Sequence, residues 1–365
     1  MTENRLRVGI IGANVNYGWG PRAHLPALVA MPDVDLVAVC TAHEETARES
    51  AEKYGVPAAF HDHLEMLKQD DIDAVGVIVR VPLHHKLTMD ALAAGKHVFT
   101  EWPLGSNLAE AEEMAELAHK QNLHTMVGLQ ARCSPAILRL KELIEDGYVG
   151  EVLSSHMALF GSGVLTRTSG RTWQRERVLG ANTLTISFGH AMDALCMCLG
   201  EFKEVSSVVT TQVPQWHETD TDRMVDVTSP DNILVSGVLE SGAVVSAHVS
   251  SVPWHGSGFR MEIYGREGTL TLEGQGGAQI ESVRLRGGKG NDGVLEDLEV
   301  PPRHMWVSEE IPQGLPYNVA QMWSRFSSAI ADGTRAEPDF DTAVQRHRML
   351  AAIEKASETG QKQLL

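Results

Sequence analysis

Residues 12–20, Gly12-Ala13-Asn14-Val15-Asn16-Tyr17-Gly18-Trp19-Gly20, follow directly on the apolar run 7–11, and their types suit the cradling of phosphate. A regular dinucleotide loop, G-x-G-x-x-G, uses one glycine to turn, one to let the backbone approach a pyrophosphate, and one to pack a helix on its strand. Gly12 takes the first place here, Asn14 stands at the second, and the third comes late, at Gly18 or Gly20. Asparagine tolerates a left-handed backbone better than other side chains, so the loop keeps its purpose while becoming longer and differently shaped. An ordinary glycine-rich turn is the competing reading. Metal chemistry has less support: His61 and His63 flank Asp62 without further ligands at suitable spacing. The four cysteines, Cys40, Cys133, Cys196 and Cys198, are scattered, which points to reduced, buried thiols rather than disulfides or zinc.

The elements around the loop repeat in one order. Residues 7–11, 36–40, 74–79, 97–100 and 124–128 read as short strands buried on both faces. Helical spacing falls at 23–31, 44–54, 64–68, 86–94 and 108–121, with Gly55 and Gly95 as stops. Alternation of this kind, with right-handed crossovers, builds a doubly wound parallel sheet covered on both faces. Ligands of such sheets bind beyond the carboxyl ends of the strands, where Asn14, Thr41, Pro82 and Glu101 would gather. An acidic residue at the tip of the second strand would bind a ribose 2′-hydroxyl, yet the chain has Cys40-Thr41-Ala42-His43 there. NADP is therefore the expected cofactor and NAD the alternative, with Thr41 and His43 as phosphate contacts. The competing reading is a turn with a helix cap at Thr41 or Thr46.

The second half reads differently. Strand-like runs at 151–160, 205–212, 233–240, 243–251, 259–264, 269–273 and 281–286 alternate apolar with polar residues, and residues 179–199 and 318–332 offer helices to cover one face. Residues 287–316, rich in glycine and proline, read as a flap or an interface arm. Two domains are expected, a dinucleotide-binding domain at 1–128 and a second domain at 129–365, whose last helix packs back on the first. A net charge of −17 over 365 residues, with no basic run, argues against nucleic-acid partners. No signal peptide or membrane span is legible, so a cytoplasmic protein with a small-molecule substrate is expected.

The run Pro82-x-x-His85, Ala94-Gly95-Lys96-His97-Val98-x-x-Glu101-x-Pro103 resembles the Gfo/Idh/MocA family of NAD(P)-dependent oxidoreductases, named for glucose–fructose oxidoreductase and inositol dehydrogenase. Ser134-Pro135 after an arginine, Gly147-x-x-Gly150-Glu151-Val152 and Pro338-Asp339-Phe340 are similar to the family as well. The resemblance implies a Rossmann domain followed by an α/β domain. The open, mainly antiparallel sheet of that domain would form a homo-oligomer interface, dimeric or tetrameric, and line the active site. It implies Val79, Arg80, Pro82, His85, Glu101 and Trp102 beside the cofactor, with Ala13, Val15, Asn16 and Tyr17 completing the phosphate loop. His85 would brace the loop near the nicotinamide, while His84 is expected to be exposed.

Two positions depart from the family. Its usual Glu-Lys-Pro reads Glu101-Trp102-Pro103, and its Asp-x-Gly-x-His pattern reads Ile186-Ser187-Phe188-Gly189-His190. These departures resemble the Gal80-type branch, which contains corepressors that bind NAD(P) without known turnover. Hydride transfer needs one group to exchange a proton with the substrate oxygen, and an imidazole with a reference pKa near ~6.5 serves at neutral pH. The expected function is hydride transfer between nicotinamide and a sugar, polyol or related carbonyl or alcohol. His190 is the general acid/base, with Glu101 and Asp193 as further catalytic candidates, and Trp102, Trp173 and His190 face the substrate. A core histidine satisfied by Asp193 is the alternative for His190. A non-catalytic NAD(P) sensor, or an NAD-assisted glycoside-cleaving variant, is the alternative for the chain.

Overall fold

The computed structural model describes residues 5–365. Contacts divide the chain into two compact units, one running through Leu129 and taking in Met305–Gln345, the other Gln130–His304 with Arg346–Leu365.

In the first unit, β1 (Leu6–Ile11), β2 (Val34–Cys40), β3 (Ala58–Phe60), β4 (Ala74–Val77), β5 (His97–Glu101) and β6 (Thr125–Gly128) form a sheet in the order β3-β2-β1-β4-β5-β6. Every pairing in it is parallel. The strands are short and apolar because both faces are covered: Val8, Ile10, Val75 and Val98 have no exposed surface. Helices α1 (Leu25–Ala30), α2 (Glu44–Tyr54), α3 (His63–Leu67), α4 (His84–Ala93) and α5 (Leu108–Gln121) make the crossovers. Local chemistry sets their ends. The Asn107 side chain accepts from the Glu110 N–H at 3.0 Å to begin α5, and Gly55, at φ +67°, closes α2. The strand order reverses between β1 and β4, which opens a crevice beyond their carboxyl ends.

Residues 305–345 join this unit, although the sequence reading kept them in the second half. The helix Leu315–Asp332 explains why: Val319, Met322, Trp323 and Phe326 form a fully buried stripe at helical spacing. Trp323 stacks 4.7 Å from Phe99 of β5, and a Cβ at Gly76 of β4 would meet its ring at 3.2 Å.

The second unit begins with α6 (Pro135–Glu145) and is built on a nine-stranded sheet. The strands of the unit, in its large sheet and a smaller one, are β7 (Val152–Ser162), β8 (Thr166–Arg167), β9 (Phe202–Thr210), β10 (Gln215–Glu218), β11 (Arg223–Asp226), β12 (Asn232–Leu239), β13 (Val244–Val252), β14 (Gly258–Gly265), β15 (Gly268–Gly274), β16 (Arg284–Lys289), β17 (Glu296–Asp297) and β18 (Gln363–Leu364). The large sheet runs β17-β16-β15-β14-β7-β13-β12-β9-β18, antiparallel at each described pairing except β7 with β13. Alternation along the strands separates its faces. Met157, Val245, Ala247 and Met261 are buried on one; α7 (Gly189–Leu199) packs with α6, and the helical turn before α7 packs against β12 and β13. Val208, Leu234, Val244 and Tyr264 are exposed on the other.

A small sheet in the order β11-β10-β8 was not legible in the sequence, because its strands are two to four residues long and largely polar. Residues 287–316 resolve into the end of β16, the strand β17, a helical turn Pro302–His304 and the approach to the next helix. Among the described residues no helix is long and apolar enough to cross a membrane.

Candidate functional site

At the end of β1, Gly12 turns the chain at φ +96°, and a Cβ there would lie 2.0 Å from the Ile78 carbonyl oxygen. Only glycine fits that approach. A Cβ at Gly20 would lie 2.9 Å from the Gly12 oxygen, so Gly20 lets the following helical turn pack on the strand end, while Gly18, at φ +99°, turns in open space. Asn14 does not use the left-handed backbone expected of it: among the described residues the non-glycine positions with positive φ are Asn122, Asp222 and His255. Its side-chain oxygen instead accepts from the Asn16 N–H at 2.8 Å, an Asx turn that shapes the loop from within. The buried Ser50 hydroxyl donates to the Ala13 carbonyl at 2.6 Å, and Asn16 Nδ2 reaches Glu49 at 3.3 Å, so α2 holds the loop. Val15 is buried and Tyr17 exposed.

At the tip of β2 the Thr41 hydroxyl donates to the His43 carbonyl at 2.8 Å and lies 2.6 Å from the Thr46 hydroxyl, which reaches the same carbonyl at 3.0 Å. Thr41 is thereby engaged in its own turn, and His43 is the exposed side chain there. Beyond β4, Arg80 and Pro82 are exposed and Val79 half-buried. Of the two neighbouring histidines, His84 departs from the exposed place expected of it. His84 is buried, with Nδ1 2.8 Å from the Pro103 carbonyl and Nε2 3.1 Å from the Val79 carbonyl, so it ties the ends of β4 and β5 together. Burial pushes its pKa down. His85, half-buried, reaches from α4 to Glu113 of α5 at 2.8 Å. Helical phase decides this, because successive residues point about 100° apart.

The end of β5 carries Glu101 and the buried Trp102. Glu101 Oε1 lies 2.7 Å from His24 Nε2, and His24 Nδ1 accepts from the Trp323 indole N–H at 3.0 Å. Sequence reasoning missed His24 and Trp323. The one available signal was a histidine set inside an apolar helical stretch.

In the second unit, α7 carries His190 and Asp193, both buried, and Ile186 lies half-buried in the helical turn Thr183–Phe188 before it. Asp193 takes Arg132 through both oxygens, at 2.8 and 2.7 Å, and Arg346 Nε lies 3.7 Å away. Arg346 has no exposed surface and also pairs with Glu201; burial works against its charge, while Cys196, Asp193 and Glu201 together hold its pKa above the ordinary value. The carboxylate expected to work beside His190 therefore belongs to a charge cluster. Trp173 is half-buried on the helical turn Ser169–Arg175, which is fastened by Thr172 to Glu218 at 2.7 Å and by the Ser169 hydroxyl to Asp220 at 2.6 Å. The four cysteines are buried and unbridged, and burial raises Cys40, Cys196 and Cys198 to about 12. Among the described residues no group of three His, Cys, Asp or Glu side chains could hold a metal.

The first unit fits a dinucleotide on two observations: a cradle at Gly12 that any side chain would fill, and a strand-order reversal beside it. Comparison with known proteins agrees. Residues 6–129 match the oxidoreductase family with an NAD-binding Rossmann fold, and residues 135–274 match the C-terminal domain of Gal80p. The first of these domains belongs to the Gfo/Idh/MocA family, and the second is similar to that of its Gal80-like branch. The chain is similar to the dehydrogenase aclE of Aspergillus oryzae, 29% identical over 387 residues and 98% of each chain. It is also similar to the galactose/lactose metabolism regulatory protein GAL80 of Saccharomyces cerevisiae, 28% identical over 321 residues, covering 81% of this chain and 74% of that one. The fold is shared with a super-repressor mutant of Gal80p from Saccharomyces cerevisiae, at a TM-score of 0.88, 23% identity and coverage of 99% and 98%. It is shared equally with a levoglucosan dehydrogenase in complex with NADH and L-sorbose, at 0.86, 23%, 99% and 98%. Dehydrogenases and a regulator thus stand side by side among its relatives.

Proposed function

We propose that the chain is an NAD(P)-dependent oxidoreductase that moves a hydride between nicotinamide and a carbonyl or alcohol carbon of a sugar, polyol or related substrate, with His190 as general acid/base. The Gly12 cradle carries this reading, supported by similarity to a dehydrogenase along the full length. When bound, the dinucleotide supplies the hydride donor or acceptor. Residues 12–17 hold its phosphates, His43 stands at the adenosine ribose, and Val79, Arg80, Pro82, Glu101 and Trp102 lie toward the nicotinamide half. His85, paired with Glu113 of α5, braces the loop near the nicotinamide. No carboxylate stands at the tip of β2, so NADPH binds at least as well as NADH. His190 donates a proton to the carbonyl oxygen in reduction and takes it from the hydroxyl in oxidation. Asp193 positions α7 through Arg132 and does not exchange protons. Trp102 gives the pocket an apolar wall, and Trp173 offers a ring face to a sugar.

The test is calorimetric titration with NADH and NADPH, followed by a polyol and ketone screen at the reduced-nicotinamide absorbance. His190→Ala should lower kcat about 10²–10⁴-fold with cofactor affinity kept. Cofactor binding with no turnover on any substrate, unchanged by His190→Ala, would support a second reading, a regulator of the Gal80 type. That reading is favoured by the match of residues 135–274 and by the apolar Trp102 and Ile186. Either way, a homo-oligomer through the exposed sheet face with Val208, Leu234 and Val244 is proposed, and light scattering during gel filtration checks it.

A further inference from the structure

Three residues far apart in sequence form one hydrogen-bonded line in the first unit. The Trp323 indole N–H donates to His24 Nδ1 at 3.0 Å, and His24 Nε2 lies 2.7 Å from Glu101 Oε1. An indole nitrogen only donates, so Nδ1 is the acceptor and the imidazole proton lies on Nε2, aimed at the carboxylate. Packing keeps the ring in that orientation. His24 has no exposed surface and sits edge-on to Phe99, with centroids 5.2 Å apart and planes at 77°, and edge-on to Trp323. Trp323 is itself locked against Phe99 at 4.7 Å and Phe326 at 5.9 Å.

The carboxylate is held from a second side. A Cβ at Gly128, the last residue of β6, would lie 2.6 Å from Glu101 Oε2 and 2.7 Å from Oε1, so the group rests directly on bare backbone. Its register partner in the sheet is Gly128 itself. A line of buried polar groups contributes little to stability that well-packed apolar side chains could not supply. Its distinctive product is a fixed carboxylate at the carboxyl end of β5.

We infer that His24 is a positioning residue, set in its Nε2–H form by Trp323. It orients the Glu101 carboxylate to accept from a hydroxyl or amide N–H on the nicotinamide half of the dinucleotide. The inference rests on the dinucleotide site proposed above and extends it inward by two residues that touch no ligand. Glu101 is then the group that meets the cofactor, while Trp323 acts through His24 alone.

Nitrogen NMR of the ligand-free protein, labelled at histidine, reads the tautomer directly. The expected result is the Nε2–H form in the wild type and loss of that preference in Trp323→Phe, which keeps the ring stacking and removes the donor. Calorimetric titration with NADH supplies the second readout. His24→Leu should weaken binding about tenfold, the scale of one hydrogen bond to a charged group. His24→Gln, whose amide can accept from Trp323 and donate to Glu101, should restore most of it. Phe326→Leu is the packing control, expected to lower the melting temperature with tautomer and affinity unchanged. An Nδ1–H tautomer in the wild type, or NADH affinity unchanged in both His24→Leu and Trp323→Phe, would overturn the inference. Should His24→Leu fail to fold, Trp323→Phe and His24→Gln still decide it. A wild type that binds neither NADH nor NADPH overturns the proposed function and the ligand assigned here, and the tautomer remains a separate readout of the relay.

Discussion

Arg132 grips Asp193 through two parallel hydrogen bonds, Nε to Oδ2 at 2.8 Å and a terminal nitrogen to Oδ1 at 2.7 Å. Arg346 lies 3.7 Å from the same carboxylate and pairs with Glu201, so two cations and two anions cluster in the second unit, with Asp193 and Arg346 fully buried. Removing one member leaves an uncompensated charge away from water. Asp193→Ala should therefore cost about 3–5 kcal/mol, read as a lower denaturation midpoint at unchanged slope. Replacing Arg132 and Asp193 together by Met and Leu should cost less than the sum of the single changes, because neither charge is left alone.

Gly12 and Gly18 share nearly the same backbone angle, +96° and +99°, and differ only in what surrounds them. A methyl at 12 runs into the Ile78 carbonyl, and a methyl at 18 meets nothing within 4 Å. Gly18→Ala should lose about 1–2 kcal/mol, the strain of a left-handed residue. Gly12→Ala should lose more and should also displace the loop, abolishing NADH binding at concentrations where Gly18→Ala still binds. Equal stability and equal affinity in the two variants would show that the Ile78 contact does not shape the loop.

Gly128→Ala places a methyl where the Glu101 carboxylate rests. NADH affinity should fall to about the level of Glu101→Gln, and the double variant should be no weaker than either alone, since both remove the same oriented group. Additive losses in a binding cycle would separate the two positions.

Acid should weaken the fold in two stages. Burial pushes His347 down to about 4, and burial with the neighbouring His124 does the same to His97. The unfolded chain, titrating near 6.5, takes up protons more readily, so this stability is complete above about 6.5 and declines as pH falls through about 4. Glu218, held at about 2 by Thr221, Thr172 and Arg223, and Glu142, held at about 2 by Arg139, Arg303 and His304, act lower. Their contribution is present above the unfolded value of 4.5 and is lost as pH falls from there toward about 2. Urea midpoints against pH should show both stages, with His97→Gln flattening the upper and Glu218→Gln the lower.

Much of the first unit was legible because its signals are local. The helix read at 44–54 ends at a left-handed glycine, and the helix at 108–121 runs between an Asn107 cap and a left-handed Asn122. The conformation of the phosphate loop was not legible. Asn14 was read by its tolerance of positive φ, whereas the chain uses its side chain to accept from Asn16. The burial of His84 was not legible either, because it rests on carbonyls at Pro103 and Val79 that the sequence does not mark as its partners.

Strand alternation, helical periodicity and capping residues were enough to determine a parallel sheet followed by a strand-rich second half, since each depends on neighbours within a few positions; that the second sheet is open and mainly antiparallel followed only from the family resemblance. Which side chains meet was decided by the tertiary structure alone. Glu101 finds His24 across 77 residues, His24 finds Trp323 across 299, and Asp193 finds Arg132 across 61. A buried polar group must be matched by a partner, and the identity of that partner depends on where the topology returns the chain. That is why Asp193, three residues from His190, was drawn instead to two arginines, and why a helix from the far end of the chain completes the setting of Glu101.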